Sequence, residues 1–156
     1  MAKTLPRKAL ISISSFNGAI YPNGHKTGLF FTEALHPFEV LTQAGFEVDI
    51  ASETGTYGLD EISLTDPFLA GSDKAVFDSP KHPFNVKLNL QLKKASDLKK
   101  EEYGLFFASA GHSALYDYPS AKVAIRGRRY LGPWRGCGCG VSWTGPPAGS
   151  DRSQDW

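Results

Sequence analysis

Cysteine is scarce in this chain, with two in 156 residues, and methionine scarcer still, with one. Two thiols cannot build the disulfide framework that staples small secreted domains. They sit together in Cys137-Gly-Cys139, and a structural zinc site needs four ligands, usually as two spaced pairs. No second pair exists, so no metal site is expected. No run approaches the ~20 apolar residues a membrane helix requires. The opening Met1-Ala-Lys-Thr-Leu-Pro-Arg-Lys8 lacks the apolar core of a secretory signal. These absences predict a soluble protein of a reducing compartment, expected in the cytoplasm, with no membrane partner.

Arginine is nearly missing from most of the chain. Up to Lys122 there is only Arg7, together with all the lysines. Beyond it lie Arg126, Arg128, Arg129, Arg135 and Arg152, with no lysine, all three tryptophans, both cysteines and seven of the sixteen glycines. Formal charge changes from −2 before the break to +3 after it. A shift this sharp separates residues 1–122 from a tail, 123–156, that was never selected to fold or forms a distinct segment. With three prolines and seven glycines, the tail has a high ordering cost and little periodic apolar surface, so it is expected to be disordered. An RNA-binding reading of its arginines and tryptophans fails because they form no long basic block; no nucleic acid is expected.

Ahead of the break, Ala9-Leu-Ile-Ser-Ile-Ser14 reads as a buried first strand. Residues from about Thr27 to Gln43 place Phe30, Ala34, Leu35, Phe38 and Leu41 at helical spacing, and Gly45 stands where a helix ends. Phe46 to Ala51 is a second strand. Phe84, Leu88 and Leu92, four apart, predict a helix with Lys87, Lys93 and Lys94 on its flanks. Leu105 to Ala108 is a central strand. Strands alternating with helices predict an α/β fold with a parallel sheet and right-handed crossovers.

The most informative stretch is Phe106-Phe-Ala-Ser-Ala-Gly-His-Ser-Ala-Leu-Tyr-Asp-Tyr-Pro119. A strand runs into a small-residue turn containing Gly111 and then His112. Ligands in open α/β sheets bind beyond the carboxyl ends of strands, where turn N–H groups can face an anion. His112 reads equally well as an imidazole satisfied by its neighbours. Taken alone, Glu33 reads as a surface glutamate on an amphipathic helix. Its neighbours Leu29, Phe30, Phe31, Ala34 and Leu35 point instead to burial, which raises a carboxyl pKa and suits it to proton transfer. Pro37, four residues on, has no N–H and crowds the carbonyl of Glu33, so the helix is expected to be distorted there. Asp117 and Tyr118 read as turn and packing residues, His25 and His36 as exposed or capping ones, and His82, before Pro83, as an exposed loop residue.

Together with Lys26-Thr-Gly28, Glu33-Ala-Leu-His-Pro-Phe38, Gly45-Phe-Glu-Val-Asp49 and Ser52-Glu-Thr-Gly55, this string resembles the DJ-1/PfpI superfamily. It is most similar to the fungal heat-shock-31-type branch, the glutathione-independent glyoxalases, also called glyoxalase III or D-lactate dehydratases. The resemblance covers roughly residues 8 to 122. It implies a flavodoxin-like parallel sheet sandwiched by helices, here incomplete on its C-terminal side. It also implies conversion of methylglyoxal, a 2-oxoaldehyde, and water to D-lactate without a cofactor, and a homodimer in intact relatives. A stress-related holdase chaperone is the other role attributed to the branch. By the resemblance Glu33 is the general acid/base, and backbone N–H groups at Gly111 and His112 form part of an oxyanion hole. The family string has glycine and threonine where Ser113 and Ala114 stand, so Ser113 is expected to narrow or stiffen the turn.

The family's nucleophilic cysteine and the histidine after it are missing from this chain. Cys137 and Cys139 lie among glycines with no following histidine and no apolar strand before them, which leaves no means of holding a thiolate. Reverse translation of Arg129 to Pro147, read one nucleotide later, allows D-I-W-A-R-G-G-V-V-A-A-V-C-H-G-P-A. That string resembles the family's next block: a helix end, a valine-rich strand, and cysteine followed by histidine. The tail is therefore read as out of frame, and the chain as written as either inactive or a non-functional product.

Overall fold

The computed structural model describes residues 6–109 and 111–121. Strand β1, Lys8–Ser12, is followed by a small hairpin in which β2, Gly18–Ala19, pairs antiparallel with β3, Lys26–Thr27. Helix α1 spans Phe31–Gln43 and leads into β4, Glu47–Ser52. Short helices α2, Gly71–Phe77, and α3, Pro83–Asn89, precede strand β5, Lys93–Lys94. Strand β6, Leu105–Ala108, then runs towards α4, Ala114–Asp117.

All pairings within the main sheet are parallel, in the order β5-β4-β1-β6. The strands β4, β1 and β6 are the second, first and third of the doubly wound pattern. Chain order therefore reverses direction between β1 and β6, and the crevice outside the carboxyl ends of these two strands is where such sheets bind ligands.

Alternation along β1 divides the core. Ala9, Ile11 and Ile13 join Val48 and Ile50 against α1 and α3, while Leu10 faces the other way with Ala51, Ala95 and Phe106. An aromatic chain locks the helical layer. The Phe31 ring meets Phe77 at 5.0 Å and Phe84 at 5.3 Å, and Phe38 meets Phe84 at 5.4 Å, all edge to face. Such pairs add about 0.5–1.5 kcal/mol each beyond area burial. Phe31, Ala34, Leu35 and Phe38 are thereby pinned inward, which fixes the rotation of α1 and the direction of Glu33.

Two expectations are corrected. Helix α1 begins at Phe31 rather than near Thr27, because Lys26 and Thr27 are held in the hairpin and Phe30 is extended. The stripe Phe84, Leu88, Leu92 does not lie on one helix. Helix α3 ends at Asn89, and Lys93 and Lys94 enter the sheet beside Ala51 and Ser52, while Leu92 reaches the same core from extended chain. Pro37 stands inside α1, which runs on through it as one element, and its missing N–H leaves the Glu33 carbonyl without its usual donor. Gly45 ends α1 as expected, with φ of +80° and its N–H on the Thr42 carbonyl.

Candidate active site

Glu33 lies in the first turn of α1 and faces the turn that follows β6. Gly111 has φ of +117°, and a Cβ placed there would stand 3.6 Å from Glu33 Oε2, 3.6 Å from the Gly28 carbonyl oxygen and 3.7 Å from Phe30 Cβ. The helix start, the Gly28 segment and the Gly111 turn therefore converge. Ser113 fixes this arrangement: fully buried, it donates from Oγ to the Gly28 carbonyl at 2.8 Å.

The burial expected of Glu33 is not found: its side chain is exposed among the described residues. Phe30 and the Gly111 turn cover only one side of it. That partial desolvation is still the largest influence on its carboxyl and holds the pKa above the ordinary value. The His112 charge opposes the rise, and the Asp60 charge adds to it.

His112 is also exposed, and its Nδ1 lies 2.9 Å from the Tyr21 hydroxyl. Tyr21 in turn reaches Asp60 Oδ2 at 3.1 Å, where Thr27 Oγ1 also donates, at 2.9 Å. Asp60 is 2% exposed, and its Oδ1 accepts from the N–H groups of Ile62 and Ser63. Sequence reasoning missed Tyr21 and Asp60. They lie in loops without periodicity, 39 residues apart and, for Tyr21 and His112, 91 residues apart.

The floor of the site is set by a close crossing of backbones. Leu29 donates to the Gly58 carbonyl at 2.7 Å, and Asp60 donates back to the Leu29 carbonyl at 2.9 Å. A Cβ at Gly28 would lie 2.2 Å from the Gly58 oxygen, so only glycine fits. Among the described residues, no backbone hydrogen bond uses the N–H of Gly111 or His112.

Most of the remaining expectations are met in ordinary roles. Asp117 Oδ2 accepts from Ser15 N–H at 2.6 Å, and the Tyr118 hydroxyl lies 2.8 Å from the carbonyls of Ser12 and Ser109. Both brace the β1 and β6 ends from behind. His25 pairs with Glu61 and His36 with Asp73 at the surface. His82 departs from the expectation of an exposed loop residue: it is half-buried and caps α3 by accepting from Phe84 N–H. Cys137, Cys139 and the whole tail lie outside the described residues. Among the described residues no cluster of His, Cys, Asp or Glu is arranged to hold a metal ion, and no helix is long and apolar enough to cross a membrane.

These features define an α/β domain with a carboxylate and a glycine turn meeting at the topological switch point. No family model matches the chain, but individual relatives do. Glyoxalase 3 of Candida albicans is 52% identical over 115 residues, which is 74% of this chain and 48% of that protein. A glutathione-independent glyoxalase of Saccharomyces cerevisiae is 46% identical over 117 residues, 75% of this chain and 49% of its own length. The crystal structure of glyoxalase III from Candida albicans superposes with a TM-score of 0.76 at 48% identity, covering 80% of this chain and 52% of that one. The Rapid Encystment Protein of Francisella tularensis, at 19% identity and a TM-score of 0.64, shares the fold. Over this stretch the chain is similar to the glutathione-independent glyoxalases, and it spans about half the length of the curated relatives it matches.

Proposed function

We propose that this chain carries the acid/base limb of a glutathione-independent glyoxalase. The site would take methylglyoxal or a similar 2-oxoaldehyde and, with water, yield D-lactate, without glutathione, metal or other cofactor. The observation that supports this most is the Glu33 carboxylate beside the Gly111 turn at the switch point, with its pKa held up. A carboxyl so perturbed exchanges protons more readily near neutrality. In the proposed reaction a cysteine thiolate adds to the aldehyde carbon as a hemithioacetal. Glu33 takes the proton from that carbon, giving an enediol, and returns it to the neighbouring carbon. Water then hydrolyses the resulting thioester and frees the thiol. The N–H groups of Gly111 and His112, which no backbone carbonyl among the described residues accepts, suit the developing oxyanion.

The nucleophile is the missing half. Within the shifted string the cysteine falls across the codons of Val141 and Ser142, and the histidine across those of Ser142 and Trp143. We read residues 123–156 as out of frame and the chain as written as inactive. A cytoplasmic homodimer is the form proposed for the intact protein. A holdase role is the second reading, favoured by Leu115 and Tyr116 on α4, which are 66% and 54% exposed.

Methylglyoxal turnover by the purified chain is expected at background. The chain re-encoded in the shifted register is expected to turn over, and Glu33→Gln in that version to lose at least about 10²-fold. Turnover that survives Glu33→Gln removes the role given to Glu33. Suppression of client aggregation that is indifferent to Glu33→Gln supports the holdase reading instead.

A further inference from the structure

The hydrogen-bond chain from Asp60 through Tyr21 to His112 has a definite polarity. Asp60 is almost fully buried, and four donors converge on its two oxygens: Thr27 Oγ1, the Tyr21 hydroxyl, and the N–H groups of Ile62 and Ser63. A carboxylate can only accept, so all four of these bonds run towards Asp60. The Tyr21 hydroxyl has one proton, and the buried carboxylate claims it. Its oxygen then faces His112 Nδ1 at 2.9 Å as an acceptor. A bare Nδ1 would place two lone pairs against each other, so Nδ1 must carry the proton. Burial is the largest cause of a Tyr21 pKa raised above the ordinary phenol value, with the Asp60 charge adding to it, so the hydroxyl stays protonated.

From this geometry we infer that Asp60 and Tyr21 are positioning residues that hold the neutral His112 imidazole in its Nδ1–H form, leaving Nε2 as a hydrogen-bond acceptor on the ring that follows the Gly111 turn. An unrestrained imidazole in water favours the opposite, Nε2–H form, so the protein selects the less common tautomer. His112 follows Gly111 directly, and the Gly111 turn packs against Glu33, which puts the ring at the same site. An Nε2 acceptor suits a ligand that presents a hydroxyl proton, such as a hydrated aldehyde or an enediol. The tautomer assignment stands on hydrogen bonds alone; only the ligand class rests on the glyoxalase reading.

The test is the 15N spectrum of the full chain labelled at histidine, without substrate, at a pH where the imidazoles are neutral. Loss of one signal set in His112→Gln assigns the ring. The expected result is a protonated Nδ1 and a bare Nε2 at His112. In Tyr21→Phe the bare-nitrogen resonance is expected to move to Nδ1, while His25, His36 and His82 keep their positions. A wild-type His112 in the Nε2–H form, or a tautomer unchanged by Tyr21→Phe, overturns the inference. If Tyr21→Phe does not fold, the wild-type spectrum decides alone. Because no turnover is measured, failure here is distinct from failure of the proposed reaction.

Discussion

Replacing Gly111 by alanine isolates what the turn after β6 contributes. The space is there: the new methyl would meet Glu33 Oε2 and the Gly28 oxygen at 3.6 Å and Phe30 Cβ at 3.7 Å, all ordinary contacts. The penalty is conformational. At φ of +117° an L-residue is strained, and such a backbone costs on the order of 1–3 kcal/mol. Alanine also narrows the unfolded ensemble, but that stabilises only where its native conformation is unstrained. A net loss of about 1–2 kcal/mol is expected, seen in equilibrium denaturation of the full chain as a lower midpoint at unchanged slope. Gly28→Ala provides the contrast. There the methyl would lie 2.2 Å from the Gly58 oxygen, and relief requires parting Leu29 from Gly58, so the loss should exceed that of Gly111→Ala. Equal or higher stability in Gly111→Ala, or Gly28→Ala proving the milder change, would refute the geometry given to the site.

Asp49 on β4 should govern the acid limb of stability. Burial alone raises its carboxyl, but bonds from Lys93 at 2.7 Å, Lys87 at 3.0 Å, Tyr103 at 3.0 Å and Lys8 at 3.2 Å outweigh burial and hold it far below the carboxylate range. A depressed pKa contributes stability above the unfolded value near 3.9 that is lost as pH falls through the folded one. Asp49→Asn should therefore destabilise by about 3 kcal/mol at pH 7, the low end for a broken buried pair because the lysines keep some solvent. It should also flatten the decline below about pH 5, which denaturation at several pH values would read. Glu33 has the opposite sign. Its raised pKa disfavours folding as pH rises through the folded value, so Glu33→Gln should stabilise slightly at pH 7, by no more than ~0.5 kcal/mol after solvent screening. A destabilised Glu33→Gln would contradict the desolvation assigned to that carboxyl.

What the sequence made legible follows from the kind of signal each part carries. Leu105–Ala108 was readable to the residue because an apolar run bounded by a glycine turn has few other uses. Strands β1 and β4 were off by one or two residues at their ends. The start of α1 was misplaced because apolar spacing continues back through Leu29 and Phe30, whereas the hairpin that holds Lys26 and Thr27 is a tertiary pairing. Leu92 misled for the same reason: its spacing suits a helix, but an extended chain brings it to the same core. Glu33, Gly111 and His112 stand out through the resemblance of their motifs to a known family, and the structure brings the Glu33 carboxyl and the Gly111 turn together. The Asp60 to Tyr21 limb left no local pattern at all, since its parts meet only after the hairpin and the sheet have formed.

We propose that a cysteine–histidine pair belonging opposite Glu33 is encoded in the neighbouring register. Sequencing the message across codons 118 to 143 tests it most directly. A shifted cysteine followed by histidine requires GTG at Val141 and TCA at Ser142, since no other synonymous pair spells both. Those two codons are the predicted result, with a one-base break near Lys122. Any other codon at either position removes the pair from the shifted frame and contradicts the account.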